Sequence, residues 1–110
     1  MMTELVQKHC IPCEGGALPL MRDESATLLA QTPGWRIAAD GLSLSREFTF
    51  KNFVEAMNFA NKITPIAESE GHHPDLAVSW GKVTVTLMTH AIGGLSENDF
   101  ILAAKIDSIQ

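Results

Sequence analysis

Between residues 42 and 90 the apolar side chains change period twice, and that change limits the fold more than any other feature of the chain. In LSLSREFT, residues 42 to 49, Leu42, Leu44 and Phe48 alternate with Ser43, Ser45, Glu47 and Thr49, the two-residue period of a strand with one buried face. From about Lys51 to Glu70 the spacing becomes three and four residues, through Phe53, Met57, Ala60, Ile63 or Thr64, and Ala67. That spacing predicts an amphipathic helix with one buried stripe. Alternation then returns from Val83 to His90, with Val83, Val85 and Leu87 on one side and Thr84, Thr86, Met88 and His90 on the other.

The flanking segments complete the pattern. A helix is expected from about Arg22 to Gln31, turning Leu28 and Leu29 inward and ending at Pro33-Gly34. Trp35 to Ala39 reads as a strand, joined to the next by Asp40-Gly41, a pair suited to a two-residue type I′ turn. Pro65 removes an amide donor from the long helix and predicts a kink or break near Asn61 to Thr64, while Gly71 is a natural residue to end it. Leu76 to Ser79 forms a short strand, Trp80-Gly81-Lys82 a turn, and Gly93-Gly94 a connector. Ser96 and Asp99 have the spacing of a capping box and open a last helix, about Glu97 to Ile109, with Phe100, Ile101, Ala104 and Ile106 inward. Residues 1 to 20 hold Pro12, Gly15, Gly16 and Pro19 and no clean period, so they read as an irregular arm before one domain of residues 21 to 110. The order α-β-β-α-β-β-α describes an α+β domain, an antiparallel sheet with three helices on one face.

Composition narrows the function. A chain of 110 residues makes one core. Its net charge of −5, with no cluster of Lys or Arg, argues against direct nucleic-acid binding and against anionic membrane surfaces. No stretch is long and apolar enough to span a bilayer, and the N-terminus MMTELVQKHC lacks a signal-peptide core, so the expected location is the cytoplasm. Cys10 and Cys13 have C-x-x-C spacing, but no second pair completes a zinc site, and two reduced, dispensable thiols are the expectation.

The chemistry gathers between Glu68 and Asp99, where three of the four histidines fall: His72, His73 and His90. Imidazole titrates nearest neutrality and can both give and take a proton. A dehydration needs both acts, a base for a proton and an acid for the departing hydroxyl, and no nucleophile. Glu68 and Asp99 could orient the rings. Three histidines also suit catalytic zinc, but adjacent His72 and His73 rarely point the same way and the H-E-x-x-H spacing is absent, so no metal is expected. The bland alternative is a set of satisfied surface or capping histidines.

The stretch resembles the pterin-4a-carbinolamine dehydratase family in Glu68, His72-His73-Pro74, Trp80, His90 and Asp99, all at the family's spacing. The likeness runs from Pro33-Gly34-Trp35 through FKNFVEAMNFANKI to the C-terminus. It implies a four-stranded antiparallel sheet with helices on one face. It implies a lyase that dehydrates 4a-hydroxytetrahydropterin to quinonoid dihydropterin without a metal or organic cofactor, recycling the pterin used by aromatic amino acid hydroxylases. It also implies His72, His73 and His90 as the acid–base residues, with Glu68, Pro74, Trp80 and Asp99 supporting or contacting substrate. Which imidazole is acid and which is base stays open. A homodimer or homotetramer is implied, with a hydroxylase as metabolic partner. Some animal members carry two aromatics where this chain has Leu76 and Ala77, a departure that touches any pocket wall or partner surface built from them. Animal members also act as a dimerisation cofactor for a homeodomain transcription factor, which makes a non-catalytic binding module the alternative.

Overall fold

A computed structural model describes residues 3–10 and 18–110. Four strands form one antiparallel sheet in the order β1-β2-β4-β3: β1 Arg36–Ile37, β2 Leu44–Thr49, β3 Asp75–Ser79 and β4 Lys82–Leu87. Four helices accompany it: α1 Thr3–Gln7, α2 Arg22–Leu29, α3 Phe53–Glu70 and α4 Glu97–Ser108. The α+β class and the antiparallel sheet are as the sequence pattern requires. Val83, Val85 and Leu87 of β4 and Leu44 and Phe48 of β2 are fully buried, so the alternation was read on the correct face.

The β1–β2 connection differs from the expected two-residue turn. Strand pairing closes at Ile37 with Leu44, and Ala38 adds one more bond to Ser43. Gly41 has φ +76°, but among the described residues no non-glycine residue has positive φ, so Asp40 does not adopt the type I′ conformation. Its carboxylate instead accepts the Leu42 amide at 2.9 Å, which lengthens the loop and leaves Leu42 outside the strand and 40% exposed.

Two readings of α3 are corrected. It runs unbroken from Phe53 to Glu70 through Pro65. Pro65 and Asn61, one turn earlier, are both exposed, so the carbonyl that loses its donor lies on the solvent side of the helix. The buried stripe is Ala56, Phe59, Ala60, Ile63 and Ala67, while Phe53, Val54 and Met57 are exposed. Phe59 decides this rotation. Its ring lies tilted against Phe48 and Phe50, with centroids 4.7 and 5.2 Å away, and these aromatics at the end of β2 hold that face inward.

The N-terminal segment is not wholly irregular. Helix α1 packs on α4 and buries Leu5, and Lys105 of α4 donates to the Val6 carbonyl at 2.8 Å. Residues 11–17, with Cys13 and therefore the Cys10–Cys13 pair as a pair, lie outside the described residues. No helix among the described residues is long and apolar enough to cross a membrane.

A charged cluster closes the far end of α4. Asp107 accepts the Trp35 indole N–H at 2.9 and 3.0 Å and the Arg46 guanidinium at 2.9 Å, and that guanidinium also lies 4.5 Å over the Phe48 ring. Burial raises the Asp107 carboxyl, against the lowering effect of Trp35 and Arg46. With the folded value above the unfolded one, its stabilising contribution is full at acid pH and is lost as pH rises through the folded value. Trp35→Phe removes a donor that favours the carboxylate. We expect a loss of about 2 kcal/mol at pH 7 and a smaller loss at pH 4, where the group is protonated more often. Equal losses at both pH values in denaturant titrations would assign the whole effect to packing.

Candidate active site

The end of α3 builds the histidine loop. Gly71 adopts φ +63°, the left-handed conformation that stops a helix with least strain in glycine. Its amide donates to the Glu68 carbonyl, and the His72 amide to the Ala67 carbonyl at 3.2 Å. His72 and His73 therefore follow the helix at once, and Asp75 then enters β3. The neighbouring rings part company. His73 Nε2 meets Glu68 Oε2 at 2.6 Å in a pair 61% and 68% exposed, whereas His72 Nε2 meets Asp99 Oδ1 at 2.6 Å in a pair 12% and 0% exposed.

Asp99 serves two structures at once. It occupies the third position of α4 and accepts the Ser96 amide at 2.9 Å, the capping interaction that its spacing predicted. The same Oδ2 accepts the Thr89 hydroxyl at 2.9 Å, and Thr89 lies 2.8 Å from the Ser96 hydroxyl. An ionised carboxylate only accepts, so the His72 ring donates from Nε2 and, when neutral, presents its Nδ1 lone pair. Glu68 fixes His73 in the same sense.

His90 is displaced from its expected place on a strand. Strand β4 ends at Leu87, and His90 opens a 3-10 turn, His90–Ile92, closed by the Gly93 amide on the His90 carbonyl at 3.2 Å. Thr89 is pulled toward Asp99 and pairs with Gly94, which bends the chain here. A Cβ on Gly94 would stand 2.8 Å from Pro19, so only glycine fits without a shift. His90 is exposed, and among the described residues its ring has no hydrogen-bonding partner. It joins the cluster through the backbone of Thr89 rather than by ring contact.

His73, Glu68 and Pro74 line one open cleft with Ile63, Thr64, Ala67 and Leu76, about 160 Å³ in volume. Drug-sized ligands fill ~300 Å³ or more, so this cleft by itself is too small to enclose one. Leu76 gives the wall an aliphatic surface. Two larger clefts, of about 410 and 510 Å³, lie along residues 18–26 and 37–42 and contain no histidine, so volume and chemistry do not coincide. Trp80 occupies the two-residue turn between β3 and β4, is 69% exposed, and does not line the cleft. Among the described residues no group of three or more His, Cys, Asp or Glu side chains is arranged to hold a metal ion.

One carboxylate beside the loop was not singled out from the sequence. Glu70, 5% exposed, accepts the Cys10 amide at 2.7 Å, lies 3.0 Å from His9 Nδ1, and pairs with Lys105 at 3.7 Å. Burial pushes its carboxyl up, but the Cys10 amide, His9 and Lys105 outweigh burial, and the net shift is downward. Only the sequence distance of 60 residues between Cys10 and Glu70 hid the contact. The Cys10 thiol itself donates to the Asn98 carbonyl at 3.6 Å. Burial, with the charges of Glu70 and Asp99, pushes it up to about 12. The thiolate is the nucleophile. Cys10 should therefore resist iodoacetamide in the native protein at pH 8 and react after denaturation; rapid native labelling of the Cys10 peptide, read by mass spectrometry, would contradict this environment.

The sheet, the helix-end loop and the paired imidazoles and carboxylates define an α+β domain equipped for proton transfer. Residues 18–109 match the model of the pterin 4 alpha carbinolamine dehydratase family, and the chain belongs to that family. A protein of Rickettsia canadensis, a pterin-4-alpha-carbinolamine dehydratase by assignment rather than by measured activity, is 54% identical over 97% of this chain and 98% of its own. One of Alkaliphilus metalliredigens with the same assigned name is 51% identical over 99% and 98%. The crystal structure of a transcriptional coactivator/pterin dehydratase from Brucella melitensis superposes with a TM-score of 0.78 at 32% identity, over 83% of this chain and 97% of that one. A pterin dehydratase-like RuBisCO assembly factor of the alpha-carboxysome shares the fold, with a TM-score of 0.59 at 22% identity over 69% and 88%.

Proposed function

We propose that this protein dehydrates 4a-hydroxytetrahydropterin to quinonoid dihydropterin, one step in recycling the pterin of aromatic amino acid hydroxylases, which a separate two-electron reduction must complete. The reaction breaks the C4a–OH bond and forms a ring C=N bond. One group protonates the departing hydroxyl, which leaves as water, and another takes the adjacent ring N–H proton, so the charge balances. Imidazoles serve both acts near neutral pH. The observation that carries the reading is the pair of neighbouring histidines, each with Nε2 on a different carboxylate at 2.6 Å. That arrangement fixes both tautomers and leaves both Nδ1 atoms for proton transfer. His73, beside the cleft with Glu68 and Pro74, faces the substrate; His72 and His90 complete the acid–base set. Trp80, exposed in the turn between β3 and β4, does not line this cleft. No step requires a metal.

A second reading is favoured by one observation. Phe53, Val54 and Met57 leave an apolar strip exposed on α3, the kind of surface that another protein chain covers. A copy of this chain in a dimer or tetramer, or a protein partner, would suit it. Ultraviolet assay of the purified chain against the spontaneous reaction, with a His72→Ala/His73→Ala control, separates the readings. Acceleration by the wild type alone supports the dehydratase. No acceleration from folded protein leaves the binding module.

A further inference from the structure

The N-terminal segment lies outside the family match, which begins at residue 18, yet residues 3–10 are bound to the helices that carry the candidate site. Leu5 is in the core, and Lys8 pairs with Glu97 at 2.7 Å. The Cys10 amide and His9 close on Glu70, the last residue of α3, two positions before His72. The Cys10 thiol reaches the carbonyl of Asn98, the neighbour of Asp99. The segment therefore ties together the two stretches of chain whose side chains meet in the His72–Asp99 bond.

We infer that Glu70 is a positioning residue for the dehydration, and that residues 9 and 10 act through it to hold the His72–His73 loop in register with Asp99. This inference rests on the dehydratase reading for its role in catalysis. The physical argument concerns the helix end. A buried carboxylate keeps its place only while its partners are met. Glu70 has an amide, an imidazole and an ammonium around it, and only Gly71 separates it from His72. If the charge is removed, Lys105 keeps only the Val6 carbonyl, and the end of α3 can rotate away from α4. His72 would then leave Asp99 by a fraction of an ångström, and near-attack geometry is sensitive on that scale.

Three single variants of the full chain test this: Glu70→Gln, His9→Ala and Cys10→Ser. Glu70→Gln keeps the size and an oxygen for the Cys10 amide but loses the charge. It should lower kcat roughly ten-fold with KM within about two-fold, as expected when orientation rather than binding is lost. In the ligand-free protein the His72 ring nitrogens, observed by nitrogen NMR, should change from one Nε2–H tautomer to an exchanging mixture. His9→Ala, at a residue whose side chain is 81% exposed, should fold normally and move both readouts the same way by less. Cys10→Ser keeps the amide that Glu70 accepts and a hydroxyl for the Asn98 carbonyl, so it should move neither readout further than His9→Ala does. A wild-type His72 spectrum in Glu70→Gln and His9→Ala, whatever happens to Tm, would overturn the inference and leave the segment as a structural strap. If Glu70→Gln fails to fold, His9→Ala alone decides in the same way. An inactive wild type would sink the dehydratase reading, while the His72 spectra would still judge the coupling.

Discussion

His73→Ala should lower the rate of 4a-hydroxytetrahydropterin dehydration by about two orders of magnitude, the scale of losing one positioned acid or base. The geometry makes this a clean test. His73 and its partner Glu68 are both more than half exposed, so the substitution removes no buried contact and Tm should hardly move. A rate loss cannot then be blamed on unfolding. Glu68→Gln should cost less, because an exposed pair at 2.6 Å orients the ring only against solvent competition. If His73→Ala works within two-fold of wild type, the proton transfers must run through His72 and His90, and the cleft between α3 and β3 is not where the reacting edge sits.

What the sequence disclosed follows from the range of each interaction. The Ser96–Asp99 cap and the glycine stop at Gly71 are local, set by spacings of a few residues, and both formed as expected. The alternation in β2 and β4 survived because only one face of each strand is apolar. On α3 the expected stripe holds at Ala60, Ile63 and Ala67 but not at Phe53 and Met57, for the opposite reason. Its sequence offers apolar residues all round, and the choice was made by Phe59 meeting Phe48 from a different strand. Arg46 sits between Leu44 and Phe48 on an inward row and was passed over; its charge is tolerated because Asp107, 61 residues away, and the Phe48 ring receive it. The candidate site shows the same division. Its residues could be named from their spacing, but the partition of the two histidines could not. Nothing local in His72-His73 says that the first goes to a buried Asp99, 27 residues on, and the second to an exposed Glu68 on the preceding turn.

Under the proposed dehydration Asp99 would serve fold and chemistry with one side chain, and its replacement should therefore damage both in separable ways. Asp99→Ala leaves the His72 ring, the Thr89 hydroxyl and the Ser96 amide without their acceptor at a site with 0% exposure. The His72 ring loses its acceptor, the Thr89 hydroxyl keeps only the Ser96 hydroxyl, and the cap at Ser96 is lost; at about 1 kcal/mol each we expect a loss of about 3 kcal/mol. For a chain of this size that is roughly 15 °C in Tm. Asp99→Asn divides the two roles. The amide oxygen can still accept from Ser96 and Thr89, so most of the stability should return. Its NH2 group would face His72 Nε2 and favour the opposite tautomer, turning a proton-bearing nitrogen toward the place where a lone pair is needed. The Asn variant should therefore fold and yet lose about two orders of magnitude in kcat, as expected when the group that orients a proton-transferring imidazole is made neutral. An Asn variant that is stable and fully active would show that Asp99 caps α4 and nothing more. The His72 ring would then owe its orientation to the loop alone.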